Sequence, residues 1–192
     1  MGASPRCGRC GLRPPACLCS AIVARPVRTR VVLLTHCVER RKSTNTGRLV
    51  TLAVQGAEVR LRGEREAPPR APLPQGRRLL LFPHREARIL SPEDGRGEPV
   101  VLIVPDGNWN QARRMWRRDP DAHGAELVTL PAGVPSRYAL RHAPREGALS
   151  TLEAVARALG LLDGPEIERA LLVVHDAFVQ RTQIAAGRPR GV

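Results

Sequence analysis

The chain has 192 residues, 42% of them hydrophobic and 3% aromatic, which suits one domain of ordinary size with a real core. Its formal charge is +13 and Lys42 is its one lysine; a GC-rich coding bias accounts for Arg in place of Lys but not for the net excess, which favours a polyanionic partner, most simply nucleic acid. No stretch is long and apolar enough to span a membrane and the opening MGASPRCGRCG has no apolar signal-peptide core, so no membrane partner and a cytoplasmic setting are expected.

Residues 1–26 read as a metal knuckle and linker. Cys7, Cys10, Cys17 and Cys19 follow C-x2-C-x6-C-x-C, and in a reducing compartment such clustering points to metal more than to disulfides. Four thiolates suit a closed, structural zinc site, with Cys7-x-x-Cys10 as a tight turn. Two local disulfides, or free thiols, are the alternatives. Cys37 stands apart and reads as a small buried residue.

RTRVVLLTH (28–36) is apolar on both faces and predicts a buried strand. CVERRKSTNTGR is a polar loop, and the segment TGRLVTLAVQG predicts a helix ended by Gly56, with Thr44 or Asn45 as its cap. AEVRLRG (57–63) alternates like a half-exposed strand, residues 64–76 form a Pro-rich loop, and RRLLLFP (77–83) is a buried strand stopped by Pro83. SPEDGRGEP (91–99) is a turn cluster, VVLIVPDG (100–107) the strongest strand, and NWNQARRMWRRD (108–119) a helix. AELVTLP (125–131) is a strand, followed by a long loop and by helices over 151–162 and 164–183. The domain boundaries expected are therefore 1–26, 27–185 and a basic tail 186–192.

Strands alternating with helices imply an α/β fold with a mostly parallel sheet. Ligands then bind outside the carboxyl ends of the strands, after His36, Pro83, Asp106 and Pro131. No P-loop is present and no G-x-G-x-x-G follows a strand. Asp106 stands between strand and helix, where Asp106 or Asn108 serves as helix cap, or Asp106 does chemistry. The helix N-terminus would lower the Asp106 pKa, making it a hydrogen-bond acceptor and a base only in a dry site. Trp109, Ala112 and Trp116 share a face; Trp116 reads as core, and Trp109 as a pocket wall or as core. Arg113, Arg114, Arg117 and Arg118 read as one opposite face, either solvated surface or a phosphate contact. His36, Glu39, Asn45 and Thr46 make a polar rim, metal ligation by His36 and Glu39 lacking a third ligand. PSRYALR brings Arg137, Tyr138 and Arg141 to the same side, and Ser150 with Glu153 reads as a capping box.

The pieces CxxC…CLC, THCVERRKSTNTGRL, VPDGNWNQARRM, PSRYALR and LSTLEA, in this order from residue 7 to about 160, resemble the DTW-domain family, the tRNA-uridine aminocarboxypropyltransferases. Asn108 stands where that family's Asp-x-Thr-Trp motif carries Thr. The resemblance implies a SPOUT-like, knotted α/β region, S-adenosylmethionine as donor and a tRNA uridine as acceptor. The 3-amino-3-carboxypropyl group would pass to uridine N3, leaving methylthioadenosine. It implies Asp106 as the catalytic residue, and a donor pocket of Pro83, Pro105, Gly107, Asn108, Trp109, Leu130, Pro131, Arg137, Tyr138 and Arg141, with Arg137 or Arg141 neutralising the donor's carboxylate. His36, Glu39, Asn45, Thr46, Arg48, Ser150, Thr151 and Glu153 would form the substrate rim, in a monomer or homodimer. An RNA methyltransferase of the same fold, and a non-catalytic zinc-containing RNA-binding protein, are the alternatives.

Overall fold

The computed structural model describes residues 5–64, 71–133, 135–138, 140 and 148–187. Its frame is a six-stranded sheet: β1 Arg30–His36, β2 Glu58–Arg62, β3 Arg77–Leu81, β4 Arg88–Ile89, β5 Val100–Asp106 and β6 Glu126–Thr129. The strands run in the order β2-β1-β5-β3-β6-β4 and every pairing is parallel. Five α-helices complete it among the described residues: α1 Cys37–Arg40, α2 Gly47–Ala53, α3 Trp109–Arg118, α4 Thr151–Leu162 and α5 Pro165–Ala185.

A parallel sheet needs cover on both faces, so its central strands are continuous apolar runs. Side chains alternate between two cores. Val31, Leu33, Leu79, Leu102 and Val104 face α2, α4 and α5 together with Phe178. Val32, Leu34, Leu80, Val101 and Ile103 face α3 through Ala112 and Met115. The N-terminal knuckle is no detached appendage: Cys10, Leu12 and Leu18 are buried in the larger core, and Arg181 of α5 donates to the Cys17 carbonyl. On the sheet edge, Arg60 and Arg62 of β2 pair with Asp119 and Asp121 beyond α3.

Helix ends follow their sequence signals. Ser150 and Glu153 form the capping box of α4, and Gly164-Pro165 opens α5. Three expectations are corrected. The polar loop after β1 holds the short α1 and yields to α2 at Gly47, β4 forms in a segment with no strand signal, and the 125–131 strand stops at Thr129. Leu130 and Pro131 turn away to line a cavity instead.

Leu102, fully buried in the central strand, reports on this packing. Leu102→Ala should lower the unfolding free energy in urea by about 2–5 kcal/mol. A loss below about 1 kcal/mol would contradict the packing described.

Candidate active site

Three elements converge on the end of β5. The β1–β5 register sets Thr35 opposite Asp106. Thr35 Oγ1 donates to Asp106 Oδ2 at 3.1 Å, Asn45 Nδ2 donates to Oδ1 and Oδ2 at 3.2 and 2.9 Å, and Thr151 Oγ1 donates to Oδ1 at 2.7 Å. Four hydrogen bonds fill the acceptor sites of a carboxylate. Asn45 is itself oriented by the Arg48 N–H, which its Oδ1 accepts at 3.0 Å. Thr46 Oγ1 accepts the Leu152 N–H at 3.2 Å, tying the start of α2 to the start of α4. Gly47 is required at closest approach: a Cβ there would lie 2.3 Å from Asp106 Oδ2.

Asp106 is 2% exposed, and burial pushes its pKa up; the hydrogen bonds from Thr151, Asn45 and Thr35 oppose this, and nearby Glu39 adds to it. The net direction is upward. The expected lowering by a helix N-terminus is therefore overturned, because the carboxylate lies in the sheet's carboxyl edge and desolvation dominates. Nor is Asp106 the cap. Asn108 Oδ1 accepts the Gln111 N–H at 2.9 Å while Gln111 Oε1 accepts the Asn108 N–H at 2.8 Å. Thr caps by the same route, so the Asn108 departure preserves this task.

Two cavities meet beside this carboxylate, and the second of them is lined by it. The first, about 580 Å³, is largely apolar: Leu81, Phe82, Pro83, Val104, Pro105, Gly107, Trp109, Leu130 and Pro131 line it, and Thr151, Ala154 and Arg157 of α4 complete one wall. The second, about 420 Å³, is polar, lined by Glu39, Lys42, Asn45, Thr46, Asp106, Asn108, Tyr138, Ser150 and Thr151. Gly107, Trp109, Ala148, Leu149 and Thr151 belong to both. Trp109 meets Phe82 edge-on with centroids 5.8 Å apart, while Trp116 stacks on Phe82 at 5.4 Å. Trp109 is thus a cavity wall as well as packing, and Trp116 is packing.

Other expected residues are placed differently. Arg137 Nη1 donates to Asp176 at 2.9 Å and does not line the apolar cavity; Arg141 lies outside the described residues. Arg157 is the cation on that wall. Glu153 is fully buried. Burial works against its charge, but the Ser150 N–H, the Ser136 hydroxyl at 2.7 Å, His175 and the Arg137 N–H at 2.8 Å hold it below the usual carboxylate range. It anchors the 136–138 segment, whose Tyr138 hydroxyl donates to the Thr44 carbonyl. His36 caps α1 through Nδ1 and faces a separate groove. Glu39 takes Lys42 Nζ at 2.7 Å in the polar cavity. Arg48 donates to the Arg40 and Lys42 carbonyls, holding the rim loop from behind. Thr35, Phe82 and Arg157 escape sequence reasoning, although a Thr interrupting the β1 apolar run was a signal for the first.

Sulfur atoms of Cys7, Cys10, Cys17 and Cys19 lie within 4.8 Å of one another, the metal-capable cluster among the described residues. Cys7–Cys19 and Cys10–Cys17 are each separated by 3.7 Å. A tetrahedron of about 2.3 Å metal–sulfur bonds has edges of roughly 3.8 Å, so the donors fit. The Cys7 thiol is drawn down to about 6 by the Cys10 and Arg9 backbone N–H groups, whereas burial and its neighbours push Cys19 up to about 12.

The DTW domain profile matches residues 4–183. A tRNA-uridine aminocarboxypropyltransferase 2 of Drosophila melanogaster is 32% identical, over 87% of this chain and 70% of the relative. A Macaca fascicularis protein of the same name is 28% identical over 83% of this chain, which spans 57% of it. An Arabidopsis thaliana tRNA-uridine aminocarboxypropyltransferase A is 29% identical over 91% and 79% of the two chains. The solved SAM-dependent rRNA:acp-transferase Tsr3 from Vulcanisaeta distributa is 18% identical with a TM-score of 0.49, covering 83% of this chain and 84% of that one.

Raised by burial, the Asp106 carboxyl holds its proton more tightly folded than unfolded. Its contribution to stability is full below the unfolded value, about 3.9, and is lost as pH rises through the higher folded value. In urea unfolding, the stability of the wild type relative to Asp106→Asn should fall as pH rises from roughly 4 towards 7. A difference that stays level or climbs would overturn the burial effect.

Proposed function

The chain belongs to the DTW-domain family, and on that premise we propose that it transfers the 3-amino-3-carboxypropyl group of S-adenosylmethionine to N3 of a uridine in tRNA. The observation that carries the reading is the joint between the two cavities. An apolar chamber suited to a nucleoside opens beside a polar one, and Thr151 stands on both with its hydroxyl hydrogen directed at Asp106. The SPOUT-like knotted arrangement belongs to the same proposal, supported by the parallel order β2-β1-β5-β3-β6.

When bound, S-adenosylmethionine supplies a sulfonium-activated carbon and leaves as methylthioadenosine. Trp109 and Phe82 wall the apolar chamber for its adenosine, and Arg157 is the cation available to its carboxylate. Which sulfonium carbon reacts is decided by positioning. Uridine N3 must lose its proton as its bond to carbon forms and the carbon–sulfur bond breaks. Asp106 is saturated by its partners, so it acts through Thr151. Thr151 Oγ1, having given its hydrogen to Asp106, offers a lone pair to the polar cavity. The N3 proton passes to Thr151 as the Thr151 proton passes to Asp106, whose raised pKa suits it to hold one. The target base is turned outward from its stack to reach this depth.

The four cysteines hold structural Zn2+ in this proposal, with no position left for catalysis.

Incubation with bulk tRNA and carboxyl-labelled S-adenosylmethionine should place label in the RNA. Thr151→Val should lower the rate about 100-fold or more, with Thr151→Ser recovering most of it. Transfer of a methyl group by mass, or wild-type activity in Thr151→Val, would refute the assignment. Metal analysis should find one zinc per chain in the wild type and none in Cys10→Ser, which should melt several degrees lower; a metal-free wild type of full stability would remove zinc from the account.

A further inference from the structure

A third cavity, about 500 Å³, lies on the other side of α3, lined by His36, Arg62, Gly63, Asn108, Asn110, Gln111, Arg114, Met115, Arg118, Asp119 and Pro120. It adjoins the polar cavity, with Asn108 and Asn110 lining both. Its floor follows the same carboxyl edge of the sheet: Thr35 pairs in register with Asp106, and His36 with Arg62. Two strand spacings, roughly 10 Å, separate the tips of β5 and β2.

Charge separates this groove from an ordinary surface dip. Arg62 is spoken for, donating to Asp119 and Asp121. That pairing leaves Arg114 and Arg118, both exposed, with no ion-pair partner among the described residues. They stand one turn apart, with Asn110 one turn earlier, so the three form a single stripe of α3 along the groove. Arg113 and Arg117 lie on a different stripe and do not line it; Arg113 Nη2 reaches back to Asn110 Oδ1 at 3.4 Å. The four arginines, expected as one face, are therefore two pairs. His36 adds a donor: its Nδ1 accepts the Val38 N–H at 3.3 Å, which leaves the ring hydrogen on Nε2.

The geometry points to this groove as the binding site for the nucleotide next to the target uridine. Arg114 and Arg118 clamp its phosphate, and Asn110 and His36 meet its ribose or base edge. The assignment rests on the RNA-modifying reading above. It adds the direction in which the strand leaves the site: across Asn108 and Asn110, over the tips of β1 and β2, and away from the apolar chamber. Phosphate contacts fix register and orientation, so this pair of arginines positions the flipped base as well as adding affinity.

Equilibrium binding of bulk tRNA, read by filter retention over a range of salt concentrations, tests this independently of catalysis. Arg114→Ala/Arg118→Ala should weaken binding about tenfold or more at low salt and lower the slope of log K against log salt by about 0.7, the value for one phosphate of a single strand. Arg113→Ala/Arg117→Ala should lose less. Both proteins should bind S-adenosylmethionine like the wild type, which also shows that they fold. Equal losses in the two double variants, or an unchanged slope in Arg114→Ala/Arg118→Ala, would overturn the groove and leave it to an acidic protein partner. If the wild type binds tRNA through this pair yet incorporates no label from the donor, the transferase reading fails and the groove stands.

Discussion

The burial of one carboxylate organises the functional half of this molecule. Asp106 ends the strongest strand, and moving its charge out of water is unfavourable unless donors surround it. Those donors come from three distant parts of the chain: Thr35 of β1, Asn45 before α2 and Thr151 at the start of α4. Each must be held in turn, Asn45 by the Arg48 backbone and the α2–α4 junction by Thr46 and Leu152. A loop rim that is weakly patterned in sequence is thereby fixed by polar contacts instead of apolar ones. The approach is so close that residue 47 can carry no side chain.

The parts readable from sequence were those with one dominant local cause. β1, β3 and β5 are buried on both faces and are written as apolar runs. α4 announces its start with a capping box and α3 with a polar capping residue, and the four cysteines sit within one short stretch. The resemblance to the DTW-domain family implied Pro83, Pro105, Gly107, Trp109, Leu130 and Pro131, at strand ends that the sheet-edge rule also marks, and these do share a cavity. What stayed hidden depends on distant partners. Nothing near Asp106 in the chain shows that desolvation outweighs the helix terminus. Nothing near Arg137 shows that Asp176 lies within reach, or that Arg157 stands on the wall in its place. β4 is two residues held at the sheet edge by pairing with β6 and has little periodicity to read.

The cysteine knuckle bears on the same rim from outside. Gly11 of the knuckle lies against the Arg48 guanidinium, where a Cβ would come within 2.5 Å of Nη1. That guanidinium donates to the Arg40 and Lys42 carbonyls, just upstream of Asn45. Order in the knuckle thus reaches Asp106 through one side chain and one short loop, and the larger core joins the same elements behind them.

Thr151 has a property that neither chamber has alone: it is the first residue of α4 and a wall of both. A molecule seated on either side touches the same rotor and the same helix turn. The two guests are therefore thermodynamic neighbours, and any free energy with which one turns that hydroxyl must reappear, equal in size, in the affinity of the other.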